Sequence, residues 1–209
     1  ISLCYEQMIE TSGLQACLWE KGWVDMIHPW HILGANRMLM SSWKMAEIDN
    51  SAKLLGHVHL EGSVRIGANV TIESGTILKG PCYIGSNSYV GNNALIRNYS
   101  AIGPDSIVGY GSELKNCVLF GKNDIGRLSF VGDSVMGEGA SSGPGLTTVN
   151  HTVDYTPVTC ESDSGSVETG LVKLGAFVGD NVAIGARHVL GPGAILKHGR
   201  IIPDSTTIC

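Results

Sequence analysis

The sequence predicts an all-β solenoid, a parallel β-helix of hexapeptide repeats closed at its N-terminal end by a strand and a helix. Three observations carry this expectation. Aliphatic residues recur at every sixth position from Leu54 through Leu60, Ile66, Ile72, Leu78, Ile84, Val90, Ile96, Ile102 and Val108 to Leu114. Small or β-branched residues keep the same period two positions earlier, from Ala52 and Val58 to Ser106 and Ser112. The chain also holds 28 glycines in 209 residues and only 16% charged residues, against a usual ~25%, a balance typical of many short strands joined by tight turns.

Each hexapeptide supplies one short strand and one corner. A period of six is foreign to an α-helix and stricter than an isolated strand needs, and it is a recognised mark of parallel β-helices. The aliphatic residue points inward, the small one fits near the corner, and three hexapeptides make one triangular coil of about 18 residues. Glycine follows the aliphatic residue at Gly67, Gly85, Gly91, Gly103 and Gly109, which suits corners needing backbone freedom. The register returns with Val172, Val178, Ile184, Leu190, Leu196 and Ile202. Residues 1–50 lack the repeat. Gly22–Ile27 reads as a strand, and Trp30 to about Ala46 as a helix; together they should cover the first coil, whose open edge would otherwise invite pairing. Residues 51–209 form the solenoid, interrupted by a long Thr/Ser/Asp/Gly-rich loop at about 146–170. Such a loop in a repeat protein is frequently functional.

Composition narrows the function. A net charge of −5 argues against a nucleic-acid binder, and no apolar run approaches the ~18 residues of a membrane span. The six cysteines (Cys4, Cys17, Cys82, Cys117, Cys160, Cys209) form no CxxC pair and read as reduced structural thiols in a cytoplasm. Ile1–Glu6 shows no secretory leader, and a chain starting at Ile1 rather than methionine reads as part of something longer. His57, His59, His188 and His198 lack the spacing of a three-histidine zinc site, so no metal is expected.

Residues 18 apart should stack on one face, about 4.8 Å apart. Lys79, Arg97 and Lys115 form such a column directly after the inward aliphatic residue. Stacked like charges are unfavourable without a counter-charge, which points to an anionic partner, such as a phosphate, on Arg97 and Lys115. Glu61, one coil below, could neutralise Lys79; the plainer alternative is side chains fanning into water.

Several segments, in order, resemble the C-terminal acetyltransferase domain of bifunctional sugar-1-phosphate nucleotidyltransferase/glucosamine-1-phosphate acetyltransferases, especially archaeal ones. They are Ala94–Tyr99, Glu113–Asn116, Leu128–Asp133, Gly143–Gly145 with Thr148–Asn150, and Lys173–Gly179. Trp23–Asp25, Pro29–Leu33 and Ala35–Asn36 resemble the final strand and helix of the nucleotidyltransferase domain, whose nucleotide loop does not occur here. The resemblance implies a left-handed β-helix, a homotrimer with sites between subunits, acetyl-CoA as cosubstrate, and an amino-sugar 1-phosphate as acceptor. It further implies that Arg97 and Lys115, with Lys79 and Phe130, lie at the substrate, that Asn150 contacts substrate or cofactor, and that Ala176 and Lys173 face the pantetheine arm. The family's catalytic base is a histidine in a His-Leu-Ser-Tyr motif, whereas this chain reads Arg127-Leu128-Ser129-Phe130. Arginine cannot act as a base. His151 is the nearest substitute in sequence. The alternative function is a non-catalytic trimerisation or ligand-sensing domain of a sugar-phosphate nucleotidyltransferase.

Overall fold

The computed structural model describes residues 2–15, 17–162 and 165–205. It is a left-handed parallel β-helix. Its described strands form three sheets of eight, eight and seven, one per face of a triangular column. The first face begins at Glu47–Ile48, the second at Lys53–Leu54 and the third at His59–Glu61. Every inward residue of the repeat from Ile66 to Leu114 is buried, and the small column beside it is buried from Val64 to Ser112. The hydroxyls within that small column are satisfied by the corners: Thr76 Oγ1 donates to the Gly91 carbonyl at 3.0 Å, and Ser112 Oγ to that of Gly126 at 2.9 Å. A buried hydroxyl without a partner would be costly.

The corners divide two tasks between residue types. Left-handed backbone falls to glycines such as Gly75 and Gly111 and, among other residues, to asparagine and aspartate, including Asn69, Asn87, Asn93, Asp105 and Asn116. These side chains tolerate that region and add their own bonds: Asn69 Nδ2 reaches Asn87 Oδ1 at 3.2 Å, and Asn87 Nδ2 reaches Asp105 Oδ1 at 3.0 Å. Gly67, Gly85, Gly91, Gly103 and Gly109 have ordinary φ, so backbone freedom is not why they are glycine. Successive coils approach too closely there for a side chain. A Cβ on Gly103 would lie 2.5 Å from backbone atoms of Phe120 and Gly121, whereas one on Gly191 would meet nothing within 4 Å.

Coil length shortens from 18 residues to 17 before the excursion and is 18 again after it, where Ile195 opposes Phe177. Ser100 opposes Cys82, 18 residues earlier, but Val118 opposes Ala101, only 17 later, and the 17-residue step repeats with Val135 opposite Val118. The lost residue comes from the corner between third and first faces. Asn98 and Tyr99 turn it in one coil, Asn116 alone in the next and Asp133 alone in the one after. The chain leaves the solenoid at this same corner after Thr147–Thr148 and rejoins it at Phe177–Val178. The excursion carries an antiparallel hairpin, Thr159–Ser162 with Gly165–Glu168. Val172, expected to restart the inward register, is 40% exposed; it belongs to the excursion, and Val178 is the first inward residue of the resumed coil.

The N-terminal region differs from expectation. Two helices are present, α1 (Ser2–Thr11) and α2 (His31–Met40), and Gly22–Ile27 forms no strand, since no sheet edge receives it. Only α2 realises the expected helix. It ends early because Ser41 and Ser42 hydroxyls donate to the carbonyls of Arg37 and Leu39. It lies on the side of the column, against the first face, rather than across the first coil. Trp30 and Leu33 pack there with Val118, Val135 and Phe177 of the first face and with Val158, Cys160 and Leu174 of the excursion. The first face supplied the apolar surface that helix required.

The five described cysteines are free, and Cys82, Cys117 and Cys160 are buried; Cys209 lies outside the described residues. Burial pushes the Cys82 and Cys117 thiols up to about 12, so they pack as small apolar groups. No described helix is long and apolar enough to cross a membrane.

Close approach rather than backbone freedom predicts opposite outcomes for two glycines. Gly103→Ala should cost about 1–3 kcal/mol through overpacking. Gly191→Ala should be neutral or stabilising by up to about 1 kcal/mol. Urea unfolding of both variants checks the contrast.

Candidate active site

The polar residues converge on the shortened corner. The column Lys79, Arg97, Lys115 stands as predicted, since Lys79 opposes Arg97 and Arg97 opposes Lys115 in the ladder. Each cation already has a carboxylate. Lys79 pairs with Glu61 at 3.4 Å, Arg97 with Glu113 at 2.7 Å and Lys115 with Asp133 at 3.1 Å. The like-charge repulsion that suggested an anionic ligand is therefore offset within the chain. Only the Lys115 pair is largely withdrawn from water, its side chains 15% and 7% exposed.

Asp133 is the hub. Its Oδ1 accepts from Asn116 Nδ2 at 2.6 Å. Its Oδ2 accepts from Lys115 Nζ at 3.1 Å and from Asn150 Nδ2 at 2.5 Å. Charge-assisted bonds of this kind are the strong ones, and a buried carboxylate requires them. The turn chemistry of Asn116 and Asp133 therefore also brings Asn150, the first residue of the excursion, against the cation column. Asn150 must present its amide nitrogen to the carboxylate, which leaves its Oδ1 as an outward acceptor. The backbone locks this approach: Leu174 N–H donates to the Asn150 carbonyl at 3.0 Å and Gly175 N–H to that of Asp133 at 2.8 Å. Phe130 completes the floor. Its ring and the Asn150 amide crowd Gly132 so closely that a Cβ there would sit 2.5 Å from the ring and 3.2 Å from Nδ2.

Other expected residues lie elsewhere or are occupied. His151 follows Asn150, but its Nδ1 sits 2.9 Å from the Thr152 carbonyl and its ring stacks on Tyr155 at 4.6 Å. Ala176 is fully buried, its N–H donating to Ser134 Oγ and its carbonyl accepting from Val135 N–H. Its N–H is thus taken by a side-chain hydroxyl, and its carbonyl by the ladder of the returning chain. Lys173 is exposed and lines the corner pocket. Arg127 is exposed at the corner between second and third faces, separated from Asp133 by up to about 20 Å of extended chain. Within one chain Arg127 and the Asp133 hub therefore stand at different corners of the column.

The sequence reading missed Asp133, Asn116, Arg37 and Tyr99. Asp133 was signalled by the period of 18 itself, as the position after Lys115, whereas Asn116 lies 17 before it and falls outside that period. No sequence signal placed α2 here. Its Asn36 Nδ2 donates to the Tyr99 carbonyl at 2.6 Å, and Arg37 Nη2 to Asn116 Oδ1 at 3.3 Å while lying over the Tyr99 ring. A pocket of about 680 Å³ remains between α2, the corner and the returning excursion.

Fold and site define a hexapeptide-repeat β-helix with a polar corner site shared by coil, loop and helix. Residues 78–168 match the family described as GMPPB C-terminal domain. The chain is 37% identical over 203 residues to the Bifunctional protein GlmU of Methanococcus maripaludis, covering 94% of this chain and 47% of that protein. It is 32% identical over 188 residues to the Bifunctional sugar-1-phosphate nucleotidylyltransferase/acetyltransferase of Sulfurisphaera tokodaii, covering 90% and 46%. A Putative uncharacterized acetyltransferase YaiX of Escherichia coli is 39% identical over 136 residues, covering 65% and 59%. The chain thus spans about half the length of the bifunctional relatives it matches. Its likeness is to the C-terminal acetyltransferase domain of such bifunctional sugar-1-phosphate nucleotidyltransferase/acetyltransferases.

Removing the hub charge should be severe, because it leaves Lys115 nearly buried without a partner. Asp133→Asn is expected to cost about 3–5 kcal/mol. Asn116→Ala, which removes one of three donors, should cost about 1–2 kcal/mol. Denaturant midpoints at neutral pH check the order.

Proposed function

We propose that the chain is an acetyl-CoA-dependent N-acetyltransferase domain acting on an amino-sugar 1-phosphate, within a cytoplasmic homotrimer. Its first 50 residues are read as the end of a preceding nucleotidyltransferase domain. The observation that supports this reading is the Asp133 hub, which holds Asn150 and Lys115 on one carboxylate oxygen, Lys115 and Asp133 themselves lining a cationic pocket. The reaction forms an N–C bond between the sugar amine and the acetyl carbonyl carbon. The C–S bond breaks, coenzyme A leaves as the thiol, and the nitrogen loses one proton. Asn150 Oδ1 suits an acceptor for an amine N–H and would orient the nitrogen for attack, which is how positioning contributes to such a step. Lys115 suits the phosphate side of the substrate. Acetyl-CoA fits the exposed Lys173 by charge.

A second reading is favoured by Arg127 and Phe130, which stand where the family carries its base and a tyrosine hydroxyl. A guanidinium stays protonated and cannot accept the amine proton. On that reading the domain binds a sugar phosphate and organises subunits without turnover.

Thiol release from acetyl-CoA with glucosamine 1-phosphate or galactosamine 1-phosphate decides between them, run on the wild type and Arg127→His. We expect weak wild-type turnover that rises at least tenfold in the variant, in line with general-base catalysis. Strong wild-type turnover would mean a different base. Absence of turnover and of acetyl-CoA binding in both proteins would overturn the transferase reading.

A further inference from the structure

The pocket between α2 and the corner holds more positive charge than the ladder explains. Lys115, Arg37 and Lys173 line it, with Asp133 as its carboxylate. Both oxygens of Asp133 are taken by Lys115, Asn116 and Asn150. Among the described residues, neither Arg37 nor Lys173 forms an ion pair. Arg37 is nevertheless held in place. One Nη2 contact goes to Asn116, and the guanidinium lies 5.2 Å from the centre of the Tyr99 ring. That arrangement uses one donor edge and leaves the remaining N–H groups free, which suits the bidentate recognition of a phosphoryl group.

A second observation points the same way. Gly34 sits inside α2, where glycine costs about 1 kcal/mol relative to alanine. Its φ is ordinary and a Cβ would touch nothing within 4 Å, so neither conformation nor packing requires it. It does line the pocket, one turn before Arg37, and keeps that wall open.

We propose that this pocket is a phosphoryl-binding site in which Arg37 of α2 and Lys173 of the excursion, together with Lys115, hold the phosphate of a small ligand against the corner. The helix preceding the solenoid is then part of the binding site. The proposal deepens the transferase reading and rests on it for the choice of ligands, glucosamine 1-phosphate and coenzyme A, both of which carry phosphoryl groups.

Calorimetric titration of the chain, without acetyl donor, tests it. Four ligands are used: glucosamine 1-phosphate, glucosamine, inorganic phosphate and coenzyme A. At least one phosphorylated ligand should bind, and Arg37→Gln should weaken it about tenfold to a hundredfold, the range for a lost charged hydrogen bond. Arg37→Lys should recover part of the loss, and glucosamine should be indifferent to both changes. Gly34→Leu separates binding from structure: it should keep or raise the melting temperature through helix propensity while weakening the same ligand. If only coenzyme A responds to Arg37 and Gly34, the phosphoryl group is the cosubstrate's, and the site stands. Failure of every phosphorylated ligand to bind, or binding unchanged in both variants, overturns the proposal. Acetyl transfer with an unchanged KM in Arg37→Gln and Gly34→Leu would also overturn it while leaving the transferase reading intact. Arg37-dependent phosphate binding without acetyl transfer would do the reverse.

Discussion

Backbone hydrogen bonding between successive coils is the constraint on which the rest depends. Every strand must meet its equivalent one coil away, so the fold accepts only sequences that return to the same corner at the same height. This requirement selects aliphatic residues inside, hydroxyls that can bond to a corner carbonyl, and glycine, asparagine or aspartate where the backbone turns left-handed. It also selects glycine where two coils touch, as at Gly103 and Gly109. Interior and corners are thus two halves of one condition.

The site arises where that condition is relaxed. Dropping one residue from a single corner keeps the other two corners in register, because the change repeats in the following coils. The shortened turns put Asn116 and Asp133 one above the other, and the excursion opens from the same corner with Asn150. A buried carboxylate there must be satisfied, and its donors come from three coils. The small apolar core of Trp30, Leu33, Val158 and Leu174 then clamps helix and excursion over the first face. Polar satisfaction and apolar packing fix the same piece of structure from opposite sides.

The solenoid was legible because its period is written into almost every residue from 52 to 114. Lys79, Arg97 and Lys115 were legible as a column for the same reason, and Asn150 by its likeness to the family. The partners of that column were not. Glu113 reaches Arg97 across a step of 16, which a step of 18 along the sequence does not reveal, whereas Asp133 stands 18 residues after Lys115 as the next position of that column, although the ladder aligns it with Asn116. Val172 looked inward by period but lies in the excursion, whose length no repeat determines. The burial of both Ala176 backbone groups was invisible for a similar reason, since their partners lie 41 and 42 residues away. The position of α2 depends on which face offers it apolar surface, a tertiary fact that helical periodicity does not contain.

The central claim is that helix, ladder and excursion form one ligand site at one corner. Hydrogen–deuterium exchange with and without saturating glucosamine 1-phosphate tests it most directly. The account predicts added protection in residues 31–40, 97–99, 115–116 and 171–174 together, with the second face unchanged. Protection confined to the corner around Arg127, or to the ladder without α2, would contradict it.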